Sequence, residues 1–97
     1  MTTKRASAAT VASLIRQECD ALALMLIDKN RAYGNSALEP VRIFSKSDAT
    51  EQIKVRIDDK LSRLARGSAA GEDVILDMLG YLILLRVSEK IQEGGEP

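Results

Sequence analysis

Residues 74–87 read VILDMLGYLILLRV, and how this stretch is read decides the fold. Val74, Ile75, Leu76, Met78, Leu79, residues 82–85 and Val87 are apolar. On a helix they fall on nearly every side instead of along one stripe. A helix of that kind belongs in the middle of a core or between copies of a chain. The chain has 97 residues, and a domain of this size buries only about 60–70% of the surface its unfolded form exposes. It cannot easily surround such a helix. The expectation is an all-α fold: a small helical bundle of three main helices, completed by oligomerisation.

Working outward from this helix, expected over 72–93, the GSAAG stretch at 67–71 is a linker and residues 94–97 a frayed tail. Before the linker, the spacing predicts a helix over 48–66. Asp48 and Glu51 stand as an N-cap and its N3 partner, each able to satisfy a backbone N–H. Ile53, Ile57, Leu61 and Leu64 form the apolar stripe, and Gly67 ends it. A first helix is expected over 10–32. Val11, Leu14, Ile15, Leu22, Met25 and Leu26 recur at the three- and four-residue intervals of one buried face. Tyr33-Gly34-Asn35 stops it, with Gly34 free to take a positive φ. Residues 1–9 read as a flexible N-terminus and 33–47 as a recognition loop. Val41-Arg42-Ile43-Phe44 is the one strand candidate, and it is short. The whole, 1–97, is one domain.

Composition narrows the chemistry. Fourteen basic and 14 acidic residues cancel, so no global basic field is present to hold a nucleic acid duplex. One cysteine and no histidine exclude an internal disulfide, a cysteine zinc site and a histidine triad. Any metal would be a hard ion such as Mg²⁺ held by carboxylates and carbonyls. The longest run free of polar residues and glycine, 21–27, is far short of a membrane span. The N-terminal residues lack the apolar core of a signal peptide. A soluble, cytoplasmic protein without membrane contact is expected.

Three groups of residues stand out. Asp73 and Asp77, four apart, stack on one helical face with Tyr81, and Gly80 beside them suggests close approach by something. Asp73 also suits the first turn of a helix. Asp77, among apolar neighbours, needs a cation, either a metal or a basic side chain from the second helix. On the second helix Arg56, Lys60 and Arg63 flank the apolar stripe and suit phosphate groups. Glu51 and Asp58 fall on the opposite flank, and the plain alternative is local pairing of Glu51 with Lys54 and of Asp59 with Arg63. In the loop, Lys29, Asn30, Tyr33, Asn35, Arg42 and Phe44 combine aromatic faces, amides and cations, as a base-plus-phosphate ligand requires. The commoner reading of Tyr33 and Phe44 alone is as plugs at the edge of the core.

The stretches K-N-x-x-Y-G-N-S, V-R-I-F-S, E-Q-I-K-V-R-I-D-D-K-L-S-R-L and E-D-V-I-L-D-M-L-G-Y-L occur in that order across residues 28–85. They resemble the phage and prophage proteins of the nucleotide modification associated domain (type 1) family. That family is in turn similar to the all-α nucleoside triphosphate pyrophosphatases of the MazG and dimeric dUTPase kind. The resemblance implies a helical oligomer in the cytoplasm of a bacterial host, binding a nucleotide with Mg²⁺ and hydrolysing it to a monophosphate and pyrophosphate. It implies Asp73 and Asp77 as the acidic pair, faced by Glu51 and by Asp58 or Asp59. Lys29, Asn30 and Tyr33 match its loop motif, and Arg56 and Lys60 its basic helix. The chain departs from the MazG pattern in lacking clean Glu-x-x-Glu and Glu-x-x-Asp pairs, and Ala32 stands where an acid precedes Tyr-Gly.

Three functions follow as expectations. The first is an Mg²⁺-dependent nucleotide pyrophosphohydrolase, with Asp77, Asp73 and Glu51 catalytic and Asp73, Asp77, Asp58 and Asp59 around the metal. The alternative is a non-catalytic sponge, an anti-defence protein that sequesters a nucleotide-derived signal such as a cyclic dinucleotide. The third is a structural helical oligomer with no ligand.

Overall fold

The computed structural model describes residues 5–39, 47–67, 71 and 73–94. They form an all-α bundle of three helices: α1 (Ala8–Ala32), α2 (Ala49–Arg66) and α3 (Val74–Gln92). There is no strand among the described residues. The candidate at 41–44 lies outside them, as do Arg42 and Phe44.

Each helix starts on a side chain that accepts a hydrogen bond from an unpaired backbone N–H. Ser7 Oγ accepts from Thr10 N at 3.1 Å, so α1 begins at Ala8, two residues before the expected Thr10. Asp48 Oδ1 accepts from Glu51 N at 2.9 Å. Asp73 Oδ1 accepts from Leu76 N at 3.0 Å, which places Asp73 at the N-cap of α3. Only the Asp48 half of the capping box at α2 forms in the expected way, since the Glu51 carboxylate lies 3.3 Å from Lys54 Nζ. Gly67 ends α2 in the left-handed region (φ 67°), its N–H reaching back to the carbonyls of Arg63 and Leu64.

α2 and α3 run antiparallel, with Thr50 opposite Ser88 and Lys60 opposite Asp77. Ile53, 1% exposed, is the most deeply buried side chain, and Ala49 at the start of α2 and Val74 at the start of α3, towards opposite ends of the pair, are buried too. A polar tie adds to this: Thr50 and Ser88 hydroxyls are 2.7 Å apart, and Gln92 Nε2 donates to Thr50 Oγ1 at 2.8 Å. Ser88 is buried, and its hydroxyl is satisfied by this bond. Composition and periodicity do not single out these three residues, because a hydroxyl pair between helices depends on register.

α1 is different. Its apolar periodicity correctly marks a helix, yet the expected buried face is corrected: no α1 residue is buried. Its contact with α3 lies near its C-terminal end, at Gly80. A Cβ built there would lie 3.0 Å from Leu26 Cδ2 and 4.0 Å from Met25 Cε. The close approach that Gly80 foreshadows is therefore made by α1. The radius of gyration is 16.3 Å, against about 13 Å for a compact chain of 100 residues.

Candidate functional site

The end of α1 is shaped by its own sequence. The Tyr33 N–H donates to Lys29 O at 2.9 Å, and Gly34 (φ 59°) and Asn35 (φ 62°) then take left-handed conformations. Asparagine is among the few non-glycine residues that adopt this region readily. The reversal brings Asn35 back to Asn30, where Asn35 N donates to Asn30 O at 3.1 Å and Asn30 Nδ2 donates to Asn35 Oδ1 at 2.6 Å. Leu38 N and Glu39 N both donate to Asn35 O, at 2.9 and 2.8 Å. The Tyr-Gly-Asn stretch is thus a tied knot that holds Lys29, Asn30 and Tyr33 beside α3.

There a cleft of about 390 Å³ opens between α1, α2 and α3. Met25, Leu26, Gly80 and Leu84 supply apolar lining, and Tyr33 and Tyr81 supply two aromatic rings. Lys29 comes from α1, Arg56 from α2 and Asp77 from α3. Tyr33, at 70% exposure, is not a plug at the core edge. Both Lys29 and Arg56 are exposed, and among the described residues neither makes an ion pair.

Asp77 does make one. Lys60 Nζ lies 3.3 Å from Asp77 Oδ2, with the lysine side chain 13% and the aspartate 32% exposed. Of the two cations open to Asp77 in the sequence, the structure supplies the basic side chain. Three cations thus reach the cleft or its wall against one carboxylate, and the local charge is positive.

The candidate residues divide accordingly. Lys29, Asn30, Tyr33, Arg56 and Asp77 line the cleft, Lys60 reaches it through Asp77, and Asn35 stands behind Asn30. The remaining acids do not gather there. Asp73 is occupied in capping α3 and does not share a site with Asp77. Glu51 pairs with Lys54, and Asp59 lies 3.3 Å from Arg63. Glu51 and Asp58, seven residues apart, share the exposed side of α2, while Ile53 and Lys60 mark the side turned to α3. Helical geometry alone keeps them from facing Asp77. Among the described residues no group of three or more acids, cysteines or histidines converges. A Mg²⁺ site requires oxygen ligands in near-octahedral order, and an aspartate already neutralised by lysine does not fit that demand. Tyr81, Ser36 and Ala37 also line the cleft without a binding role read from the sequence; for Tyr81 its place one turn after Asp77 was the signal.

Comparison with protein-family models, with curated proteins and with solved structures finds no match. No helix among the described residues is long and apolar enough to cross a membrane.

Proposed function

We propose that this chain binds a nucleotide or nucleotide-derived small molecule in the cleft between its helices and holds it without hydrolysis. One observation carries the reading: Lys29 and Arg56, on different helices and without ion-pair partners among the described residues, meet in one cleft with Tyr33 and Tyr81. Cations of this kind suit phosphate oxygens, and arginine can grip two of them at once. The tyrosine rings offer stacking surfaces for a base, a contact worth about 1–3 kcal/mol per base in single-stranded nucleic acid complexes. Asn30, held by Asn35, adds an amide to the cleft that could pair with a polar edge of the ligand.

Retention is favoured over turnover because of Lys60. Its ammonium group already neutralises Asp77, so the positive charge that an anionic ligand needs comes from the chain itself. The competing reading, a Mg²⁺-dependent pyrophosphohydrolase, requires Asp77 to leave Lys60 and to gather further acids around it.

The test is a thermal-shift panel of nucleoside mono- and triphosphates and cyclic dinucleotides, each with Mg²⁺ and with EDTA. A ligand at a hundred times its Kd stabilises by about 2.7 kcal/mol. In a domain this small that is a shift of roughly 10 °C or more. A shift that persists in EDTA without pyrophosphate release is expected. Arg56→Ala should weaken binding by about tenfold or more, as loss of a charge-assisted hydrogen bond of about 1.5–3 kcal/mol implies. A shift that needs Mg²⁺ and is accompanied by pyrophosphate would return the protein to the hydrolases. No shift with any member of the panel would remove the ligand reading.

A further inference from the structure

The cleft that gathers Lys29 and Arg56 also takes in a carboxylate, Asp77. A phosphate site gains nothing from a negative group, because like charges repel and do so more strongly away from bulk water. Asp77 is nevertheless fixed in place. Lys60 Nζ lies 3.3 Å from its Oδ2, and Lys60 does not itself line the cleft. The lysine thus grips one carboxylate oxygen from α2. Oδ1 has no partner among the described residues, although an ionised carboxylate accepts at about four lone-pair sites across its two oxygens. Acceptor capacity is therefore left over on a side chain that lines the cleft.

The neighbours of Asp77 decide what that acceptor can meet. Tyr81 follows one turn later on the same row of α3, and both residues line the cleft. The antiparallel register sets Lys60 opposite Asp77 and Thr50 opposite Ser88, which puts Arg56 about level with Tyr81. Arg56 stands one turn, about 6 Å, before Lys60 along α2. The cleft wall therefore carries an aromatic ring and a guanidinium at one level, and an acceptor one turn away. A phosphate drawn to Arg56 and Lys29 keeps clear of Asp77. A base stacked on Tyr81 can bring its edge to Asp77, and only an N–H donor satisfies it there.

We infer that Asp77 is a specificity-determining residue, accepting a hydrogen bond from the exocyclic amine of the ligand's base, an assignment that rests on the nucleotide reading of the cleft. The ligand is then a nucleotide of an amino-bearing base such as cytosine or adenine. Uracil and hypoxanthine put a carbonyl oxygen in place of that amine, and two groups that only accept would face each other. Lys60 is the positioning residue, holding one carboxylate oxygen and leaving the other to the ligand.

The test is calorimetric titration of the full chain in EDTA, with cytosine against uracil and adenine against hypoxanthine. Each base is carried as a monophosphate, a triphosphate and a cyclic dinucleotide. In whichever form binds, the amino member should bind about tenfold or more tightly, as expected for one hydrogen bond to a charged group. Asp77→Asn keeps the shape of the side chain but donates as well as accepts. Its ratio of amino to carbonyl binding should collapse toward one, whatever happens to overall affinity. If Asp77→Asn fails to fold, Asp77→Leu with Lys60→Met replaces the pair by apolar side chains, a change that proteins often tolerate, and the same collapse is expected. Equal binding of the two members by the unaltered chain, or a preference that these variants keep, overturns the assignment and leaves the nucleotide reading standing. Binding of no member overturns both.

Discussion

α2 and α3 meet through buried Ile53, Ala49 and Val74, a hydroxyl pair and an ion pair, whereas α1, the longest helix, buries no residue at all. Yet α1 supplies Lys29, Asn30 and Tyr33 to the cleft. The contrast separates two tasks. The α2–α3 pair holds the fold, and its inner side provides Arg56 and Asp77 on a firm base. α1 brings the rest of the cleft to that base through one notch at Gly80, and its cleft-lining groups are placed by the backbone knot at its end. On the proposed reading, stability would rest on the α2–α3 pair and a large share of recognition on the end of α1.

If that division is right, substitutions between α2 and α3 should dominate stability. The largest effect is expected for Ile53→Ala, which removes the most deeply buried side chain. It should cost about 2–5 kcal/mol in urea unfolding, and a cost below about 1 kcal/mol would break the comparison. Lys60→Met comes next. It leaves the half-buried Asp77 without its counter-ion, at a cost of about 1–2 kcal/mol, between the values for exposed and fully buried pairs. It should also lower affinity for anionic ligands by reducing the positive charge at the cleft wall. Ser88→Ala should cost the least, about 1 kcal/mol, because Thr50 keeps its bond from Gln92. Equilibrium unfolding with and without ligand separates the three, since Lys60→Met alone should change both quantities.

Much of the helical layout was legible in the sequence. Asp48 and Gly67 mark the ends of α2 by local chemistry, and Tyr33-Gly34-Asn35 marks the end of α1 in the same way. The i,i+3 and i,i+4 pairs Glu51–Lys54 and Asp59–Arg63 also form within one helix, so spacing is enough to find them. What spacing could not fix was register between helices. Whether Asp77 meets a metal or Lys60 depends on which turn of α2 lies opposite it, and the Thr50–Ser88 pair depends on the same offset. Asp73 shows a different limit, because it shares a row with Asp77 only if the helix has already begun. Its role as cap places it one residue outside. The stripe of α1 was read as buried because periodicity records that a face is apolar and not what covers it.

The notch at Gly80 also has a mechanical consequence. α1 rests on α3 near Leu26, and Val11 lies fifteen residues away along the helix, about 22 Å. The helix is therefore a lever whose fulcrum sits close to one end. A rotation of about ten degrees at Gly80 would carry Val11 through about 4 Å and swing Lys29 and Tyr33, beyond the fulcrum, in the opposite sense by a shorter path. Anything that clamps the long arm steadies the short one, and the short arm is the wall of the cleft.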